Sequence, residues 1–420
     1  MTATVRYADI PTMDYDAATT AEQHSFLTEA RQKTPLLRLT SPNPERNVLL
    51  ITDPDDVLHV AAHPEIFSST GHAQAIRFDS DYDPAGAKIY AERGRNLKNV
   101  IVWQDGRTHF RQRKLVQAAF IPRQVKAKES YIRDLIEGLI DQFPADGKVE
   151  FMGAFAWQLP TEVIAREYGL TQNEVPLVRD VTNKLSASVD PMGPSNSHIL
   201  AADAISTLQD LLMEKLEHID QLPDNTLLKD LALARVEGEA ALSKEELMWL
   251  STILLAAGGH TTGAMLGWTG LKLATNPPLQ NALRQNPERI PAFVEEMLRT
   301  HEPVPTSYRL VTQDTTIRDV EVPKGTSVII RWDMCNFDPK KFSDPERFDI
   351  DRTDVRNHST FGNGAHFCVG NHLARLELRL ATEVMLRRFR TIELTVPAET
   401  IRNVQSFDLY AVEALPLHLA

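Results

Sequence analysis

The sequence is poor in cysteine, which limits the kinds of site that it can build. Only Cys335 and Cys368 occur among 420 residues. Two cysteines cannot form a disulfide framework or a cysteine-rich metal site. Cys335 lies in a stretch without glycine, and we expect it to be a small buried hydrophobic residue. The surroundings of Cys368 are more informative.

Long hydrophobic runs are also missing, although 42% of the residues are hydrophobic. No stretch approaches the roughly 20 apolar residues of a membrane span, and the N-terminus lacks an apolar signal core. The net charge of −12 argues against nucleic acid as a general partner. We therefore expect a cytoplasmic monomer that acts without a membrane or a nucleic acid.

No repeat, low-complexity tract or flexible linker divides the chain, so all 420 residues are expected to form one domain. A β-rich portion is predicted over about 36–60 and a helical portion over about 107–390. The longest predicted helix begins after Ser243, which forms a capping box with Glu246. Its roughly 33 residues would measure about 50 Å at 1.5 Å per residue. The predicted fold class is mainly α with small β-sheets.

A glycine-rich loop, Phe361-Gly-Asn-Gly-Ala-His-Phe-Cys-Val-Gly370, contains Cys368 and runs into a predicted helix. Gly364 and Gly370 allow backbone angles that a side chain would forbid. The sulfur would lie at the amino end of the helix, where unpaired N–H groups favour an anion. A cysteine placed this way is tuned toward thiolate and suits an axial iron ligand. A lone cysteine is otherwise more often a buried structural residue.

The pattern Phe-x-x-Gly-x-His-x-Cys-x-Gly is matched at every position and resembles the haem-binding loop of the cytochrome P450 family. The resemblance extends from about Leu36 to Leu417 and is closest to the bacterial, ferredoxin-dependent type. It implies that Cys368 ligates the iron of haem b. It also implies the P450 fold, in which haem lies between a long central helix and the cysteine loop.

The centre of the long predicted helix, Ala257-Gly-Gly-His-Thr261, carries two glycines that cost about 1 kcal/mol each relative to alanine. Close packing against another helix would explain them, and so would a local widening beside a flat ligand. The stretch resembles the oxygen-binding helix of the family. By that resemblance, Gly258 contacts the haem and the hydroxyl of Thr261 faces dioxygen.

The family usually has Asp or Glu at the position of His260. Two alternatives are open for this residue. His260 takes over part of the proton delivery, which an imidazole can perform near neutral pH. Otherwise it faces away, pairs with another helix and leaves proton delivery to water through Thr261.

The resemblance also implies a set of haem contacts. Haem carries two propionates that need cationic partners. His109 and Arg113, four residues apart, would reach the same propionate, and Arg309 and His366 match the remaining propionate contacts. The other haem contacts implied are Phe361, Gly364, Gly370 and Gly258.

Glu296 and Arg299 are three residues apart on a predicted helix, so their side chains can pair. Pro345-Glu-Arg-Phe348 supplies Arg347 as a third member. By resemblance this cluster supports the cysteine loop. Its role is structural, and breaking it should cause loss of haem rather than altered chemistry.

By resemblance, the substrate pocket lies beneath three variable stretches, 68–103, 184–198 and the tail near 405–408. The expected ligand is small to medium and largely apolar. Arg93 and Arg95 could hold a carboxylate, although residues of this kind more often lie in solvated loops. The predicted substrate contacts are Trp103, Leu254, Leu255, Val304 and Phe407.

The function implied is a haem-thiolate monooxygenase that inserts one atom of O2 by hydroxylation, epoxidation or O-dealkylation. The chain has no flavin or ferredoxin segment, so we expect a separate ferredoxin and ferredoxin reductase as electron donors. Basic residues near the cysteine side would face that acidic partner. They are Arg107, Arg111, Arg113, Lys114, Arg375 and Arg379.

Two alternative functions stay open. The absence of Asp or Glu at the position of His260 suggests a peroxide-driven haem-thiolate peroxygenase, although Thr261 argues against it. A non-catalytic haem-binding sensor is more distant, because neither an output domain nor a DNA-binding composition is present.

Overall fold

The computed structural model describes residues 5–13, 23–40, 47–71, 84–93, 95, 101–189, 196–224, 226–404, 406 and 408–420. Phe407, predicted to contact substrate, and residues 190–195 of the predicted variable stretch 184–198 lie outside these residues. Among the helices in these ranges, none is both long enough and apolar enough to cross a bilayer.

Most of the described part of the chain is helical. The helices are α1 (Gln23–Lys33), α2 (Pro54–Ala62), α3 (Pro84–Glu92), α4 (Gly106–Gln117), α5 (Pro122–Lys126), α6 (Glu129–Ile140), α7 (Gln158–Glu167), α8 (Val175–Val189), α9 (Ser197–Glu217), α10 (Leu227–Leu233), α11 (Lys244–Ala274), α12 (Pro277–Gln285), α13 (Ile290–Thr300), α14 (Trp332–Asn336) and α15 (Asn371–Arg388).

Small sheets complete the fold. The strands are β1 (Val5–Arg6), β2 (Thr12–Met13), β3 (Leu36–Leu39), β4 (Val48–Ile51), β5 (Phe67–Ser68), β6 (Lys148–Glu150), β7 (Thr306–Val311), β8 (Thr315–Ile317), β9 (Val320–Val322), β10 (Ser327–Arg331), β11 (Ile392–Leu394) and β12 (Pro416–Leu419). They form sheets in the orders β1-β9-β8, β2-β3-β4-β10-β7-β5 and β11-β12-β6. In the largest sheet, β10 pairs in parallel with β4 and antiparallel with β7. The predicted fold class, mainly α with small sheets, is confirmed.

Helix α11 runs through the helical part of the molecule. Its amino end carries the predicted capping box: the Ser243 hydroxyl accepts from the N–H of Glu246, and the Glu246 carboxylate accepts from the N–H of Ser243. The helix has 31 residues, about 47 Å at 1.5 Å per residue. It packs against α7, α8, α9 and α15, which explains why apolar residues lie on nearly all its sides.

The two central glycines of α11 have different neighbours. A methyl group at Gly258 would lie 3.5 Å from the Ile164 side chain, whereas one at Gly259 would lie 3.2 Å from Thr161 Oγ1. The helix stays α-helical through this region, from Lys244 to Ala274. The local widening considered above is therefore not present, and close helix packing accounts for Gly259.

At a third glycine, Gly263, a neighbouring segment lies closest to the backbone of this part of α11. A methyl group there would lie 2.3 Å from a ring atom of Trp157 and 2.9 Å from the Ala156 carbonyl oxygen. Trp157 follows a π-helical turn, Met152–Ala156. The absent side chain therefore lets the indole lie directly on the helix backbone.

We predict that Gly263→Ala lowers the free energy of unfolding by about 1–3 kcal/mol, the usual cost of overpacking a core. Gly258→Ala is the matched control, because its methyl group meets only an ordinary contact and alanine favours helix by about 1 kcal/mol. Urea unfolding of both variants measures the difference. Equal stability of the two variants would contradict this account of the packing.

Candidate active site

A cavity of about 300 Å³ lies between α11 and the loop that contains Cys368. Helix α11 contributes one wall, and the cysteine loop with the start of α15 contributes another. The structure thus brings together two motifs separated by more than 100 residues. The predicted site residues on the cavity wall are Leu254, Gly258, Thr261, Val304, Arg309, Phe361, His366, Cys368 and Gly370.

Cys368 is held at the amino end of α15 by its backbone. Its N–H donates to the Phe361 carbonyl oxygen at 2.8 Å, and its own carbonyl accepts from Asn371 Nδ2 at 2.8 Å. Burial raises the pKa of the Cys368 thiol, and the N–H groups of Gly370 and Asn371 offset only part of that effect. Burial therefore opposes the predicted tuning toward thiolate, which stays a prediction. A metal ion that binds a thiol removes its proton outright.

The other cysteine lies away from this cavity. Cys335 is fully buried within a core cluster beside the largest sheet. Burial raises the pKa of its thiol strongly, and the charge of Glu302 adds to the effect. This is the placement expected for a small hydrophobic residue.

Basic side chains gather at one end of the cavity, where Arg309 and His366 line the wall whereas the predicted contacts His109 and Arg113 do not. Arg309 is buried, and its Nη1 donates to the Tyr308 carbonyl oxygen at 2.7 Å. Burial lowers the pKa of Arg309 to about 10, so the guanidinium stays charged at neutral pH. The His109 ring stacks on His366 with 4.1 Å between centroids. Burial and the positive charges of His366 and Arg113 lower the pKa of His109 to about 4.

Within the part of the chain that the structure describes, neither Arg309 nor Arg113 forms an ion pair, and the buried Nε of Arg113 has no hydrogen-bond partner. His366 differs, because Asp105 Oδ1 lies 3.6 Å from its Nε2. Arg113 does donate to the Phe367 carbonyl oxygen through Nη2. Buried cations without partners are costly, so this end of the cavity suits a ligand with carboxylates. Together with Cys368 and the apolar walls, these residues fit a haem group.

Comparisons with known proteins agree with this fit. A family profile described as cytochrome P450 matches residues 186–291 and 288–407. Cytochrome P450 107B1 of Saccharopolyspora erythraea is 31% identical over 408 residues, with 96% of each chain covered. The chain belongs to the cytochrome P450 family. It is therefore a P450 monooxygenase, and the family binds haem iron through a thiolate.

Further relatives of this P450 differ in substrate. The steroid C26-monooxygenase of Mycolicibacterium smegmatis is 33% identical over 345 residues, covering 80% of this chain and 79% of that protein. The P450 monooxygenase TamI, solved with tirandamycin C bound, superposes with a TM-score of 0.82 at 28% identity. That match covers 98% of this P450 and all of TamI.

Some predicted site residues lie off the cavity wall. Leu255 and Trp103 are buried in the main core cluster instead, so their predicted places in the substrate pocket are corrected. Leu255 follows Leu254 by one residue, which turns its side chain by about 100° around the helix. Gly364 lies near the Ala61 carbonyl oxygen, 3.0 Å from where a methyl group would be. Its positive φ of 73° favours glycine.

His260 also lies off the wall. Its Nε2 is 2.8 Å from Asn183 Oδ1 on α8, and its ring packs on Trp157 with 5.4 Å between centroids. Burial lowers the pKa of His260 to about 4. This is the second alternative given above, in which His260 pairs with another helix. Thr261 does line the cavity and donates its hydroxyl to the Ala257 carbonyl oxygen at 2.9 Å.

The predicted support cluster is present with one change of member. Arg299 and Glu296 are fully buried and form two parallel hydrogen bonds of 2.8 Å. Arg347 does not join them through its side chain, which is exposed and lies 3.7 Å from Asp349. Arg352 takes that place, with its Nε 3.3 Å from Glu296 Oε1. The prediction of Arg347 is therefore corrected, since only its carbonyl oxygen faces Arg299.

Sequence reasoning missed Glu295, the neighbour of Glu296. Glu295 accepts hydrogen bonds from Arg375 at 2.7 Å and from His358 at 3.1 Å. Burial alone would raise the pKa of Glu295, but these two partners outweigh it and lower the pKa to about 2. Arg375 also lies 4.4 Å from the centre of the Phe361 ring. Glu295 therefore supports the cysteine loop directly, and the only sequence signal is the Glu-Glu doublet.

Most of the basic residues predicted to face an electron donor have partners within the chain. Arg111 pairs with Glu246, and Arg379 pairs with Glu129 and Glu383. Arg93 and Arg95, considered above for a carboxylate, both pair with Asp210. The two predicted residues that stay exposed are Arg107 and Lys114.

We predict that Arg352→Ala destabilises the protein by about 3–5 kcal/mol, the cost of removing one partner from a buried charge cluster. Haem content after purification should fall with it. Arg347→Ala removes the same kind of side chain from an exposed position and should change stability by less than about 0.5 kcal/mol. Urea unfolding and haem content measure both. The reverse order of severity would restore Arg347 to the cluster.

Proposed function

We propose that this P450 uses haem b, ligated by Cys368, to insert one atom of O2 into a small to medium, largely apolar substrate. One observation carries the proposal: Cys368 and Thr261 lie on the walls of the same cavity. When bound, a thiolate-ligated haem activates O2 for hydroxylation, epoxidation or O-dealkylation. Hydroxylation has the most direct support among these, because one relative, 30% identical over 315 residues, is the 6-deoxyerythronolide B hydroxylase of Saccharopolyspora erythraea.

The chain's own residues have distinct parts in this proposal. Cys368 would provide the iron ligand, and Arg309 and His366 would hold the haem carboxylates. The Thr261 hydroxyl donates a hydrogen bond to the Ala257 carbonyl oxygen, so its oxygen can present lone pairs to the cavity. It can accept a hydrogen bond there and hold a water that delivers protons. The burial of His260 against α8 leaves this role to Thr261.

An apolar substrate is supported by the side chains around Thr261. Leu254, Ala257, Val304 and Ile164 contribute to the same cavity, and such walls hold a ligand mainly by shape and burial. The steroid named for one relative and the tirandamycin bound to another are also carbon-rich molecules. We infer a substrate whose reacting portion is hydrocarbon-like.

We further propose a ferredoxin, reduced by its reductase, as the electron donor. The surface beside the cysteine loop has three exposed apolar side chains, Phe110, Ile121 and Phe367, which are 53%, 44% and 39% exposed. The cations Arg107, Lys114 and Arg123 are exposed in the segment that runs from α4 to α5 and form no ion pair within the described residues. Lys114 Nζ lies 4.5 Å from the centre of the Phe110 ring. Exposed apolar and cationic side chains together suit a transient, acidic partner. We call these six residues the donor face.

The proposal is tested by adding small apolar compounds to the purified ferric protein and following the Soret band. A shift from low spin to high spin identifies compounds that displace an iron-bound water, and these are then tested for product with ferredoxin and reductant. Product at a matching rate with peroxide alone would favour the peroxygenase instead. Ligand binding without any product would favour the sensor. A protein with no haem spectrum would contradict the proposal itself.

The donor face predicts that reduction by ferredoxin slows as salt rises, because salt screens exposed charges with a Debye length of about 8 Å at 0.15 M. Lys114→Glu should slow this reduction at low salt. Lys324→Glu, the same charge change on an exposed residue after β9, should not. Stopped-flow reduction measures each rate, and dithionite reduction checks the haem. Equal rates in all proteins at every salt concentration would rule out the donor face.

Thr261 and His260 should differ in how productively their variants use reductant. Thr261→Ala should lower product per reductant by about twofold to tenfold, the effect of one lost hydrogen bond, and raise peroxide release. His260→Ala should keep the parental ratio, because its imidazole lies off the cavity wall. Product, reductant and peroxide are measured together. A large loss of product in His260→Ala would return the proton-delivery role to His260.

A further inference from the structure

One carboxylate lies among the basic side chains at the polar end of the cavity. Asp105 Oδ2 accepts from the Ser68 hydroxyl at 2.5 Å and from the Ser69 N–H at 2.9 Å. Its Oδ1 lies 3.6 Å from Nε2 of His366. The Ser69 hydroxyl is 3.0 Å from the same ring nitrogen. An acid at this point needs an explanation, since the proposed ligand brings two carboxylates of its own.

Helix capping does not explain it. Asp105 stands at the N-cap position of α4, yet its side chain makes no capping hydrogen bond. It instead joins three separate parts of the chain: the end of β5, the start of α4 and the cysteine loop. Although burial alone would raise the pKa of Asp105, His366 and Ser68 keep it below its ordinary value. The carboxylate is therefore ionised at neutral pH.

The contacts of Asp105 fix the His366 ring from one side. Nε2 is engaged by Ser69 and faces Asp105, while the ring face stacks on His109. The contacts at Nε2 and the packing of the ring face restrain the imidazole in two directions. Nδ1 is the ring nitrogen that remains for a ligand. His366 itself lines the cavity. Asp105 thus touches the residue that meets the ligand and does not line the cavity itself.

We propose that Asp105 is a positioning residue for haem, whose carboxylate orients His366 toward a haem carboxylate. This inference rests on the proposed function, because it takes haem to be the ligand of the cavity. Such a role resembles the outer carboxylates that orient histidines in other sites. Repulsion between Asp105 and a haem carboxylate would act in the opposite direction. The nearby cations Arg309 and Arg113 reduce that repulsion, so orientation dominates.

The direction in which the haem dissociation rate changes in an Asp105 variant separates orientation of His366 from repulsion of a haem carboxylate. The haem-loaded protein is mixed with excess apomyoglobin, and transfer of haem gives the dissociation rate. Asp105→Asn keeps an oxygen for Ser68 and Ser69 but removes the charge that faces His366. Haem should leave this variant about twofold to fivefold faster, the effect of losing one partly exposed ion pair. Circular dichroism of the loaded variants verifies that the fold is intact.

Two further variants complete the test. Asp314→Asn makes the same change at a turn, where Asp314 accepts only from the Lys324 N–H among its described contacts, and should keep the parental rate. Ser69→Ala removes the other group on Nε2 of His366 and should also speed haem loss. Because both residues act on one ring, Asp105→Asn and Ser69→Ala should combine less than additively. If Asp105→Asn does not fold, Ser69→Ala tests the orientation alone.

An unchanged rate in Asp105→Asn would overturn the proposal. A slower rate would overturn it too, because repulsion of the haem carboxylates would then be the larger effect. A parent protein that takes up no haem would overturn this inference together with the proposed function. If the parent binds haem but Asp105→Asn and Ser69→Ala lose it at the parental rate, this inference alone is overturned.

Discussion

The pair formed by Arg299 and Glu296 is the interaction on which the cysteine side of the cavity depends. Both side chains are fully buried, and taking such charges out of water costs several kcal/mol per ion. The cost is offset because every guanidinium nitrogen of Arg299 donates, to Glu296 or to the carbonyls of Asn336, Pro345 and Arg347. The pair therefore holds together the irregular segments that precede the cysteine loop.

From this pair the support extends to the cysteine loop. Glu295, the residue before Glu296 on α13, accepts from Arg375 and His358, and Arg375 lies on α15, the helix that begins just after the cysteine loop. The opposite wall is fixed by helix packing, where Trp157 lies on the bare backbone at Gly263. Two independent kinds of interaction therefore hold the cavity walls in place. Buried charge pairs support the wall that contains Cys368, and close helix packing at glycines supports the wall formed by α11.

Local spacing was enough to predict the features that depend on neighbouring residues. The capping box at Ser243 and the cysteine loop follow from short motifs, and the mainly α fold follows from periodicity. Features set by distant partners were not predictable. The partner of His260 is Asn183, which lies on another helix. That Arg352 and not Arg347 pairs with Glu296 depends on which side chain faces inward after α14. The burial of Cys368, which opposes a thiolate, also cannot be read from the motif.

The central proposal, that Cys368 would supply the thiolate ligand of haem, is tested most directly by comparing the two cysteines. Cys368→Ser and Cys335→Ser are each purified with haem, and their ferric proteins are examined by electron paramagnetic resonance and absorption. We expect Cys335→Ser to keep the thiolate-ligated spectrum and Cys368→Ser to lose it. A thiolate-ligated spectrum that survives in Cys368→Ser would overturn the assignment of Cys368.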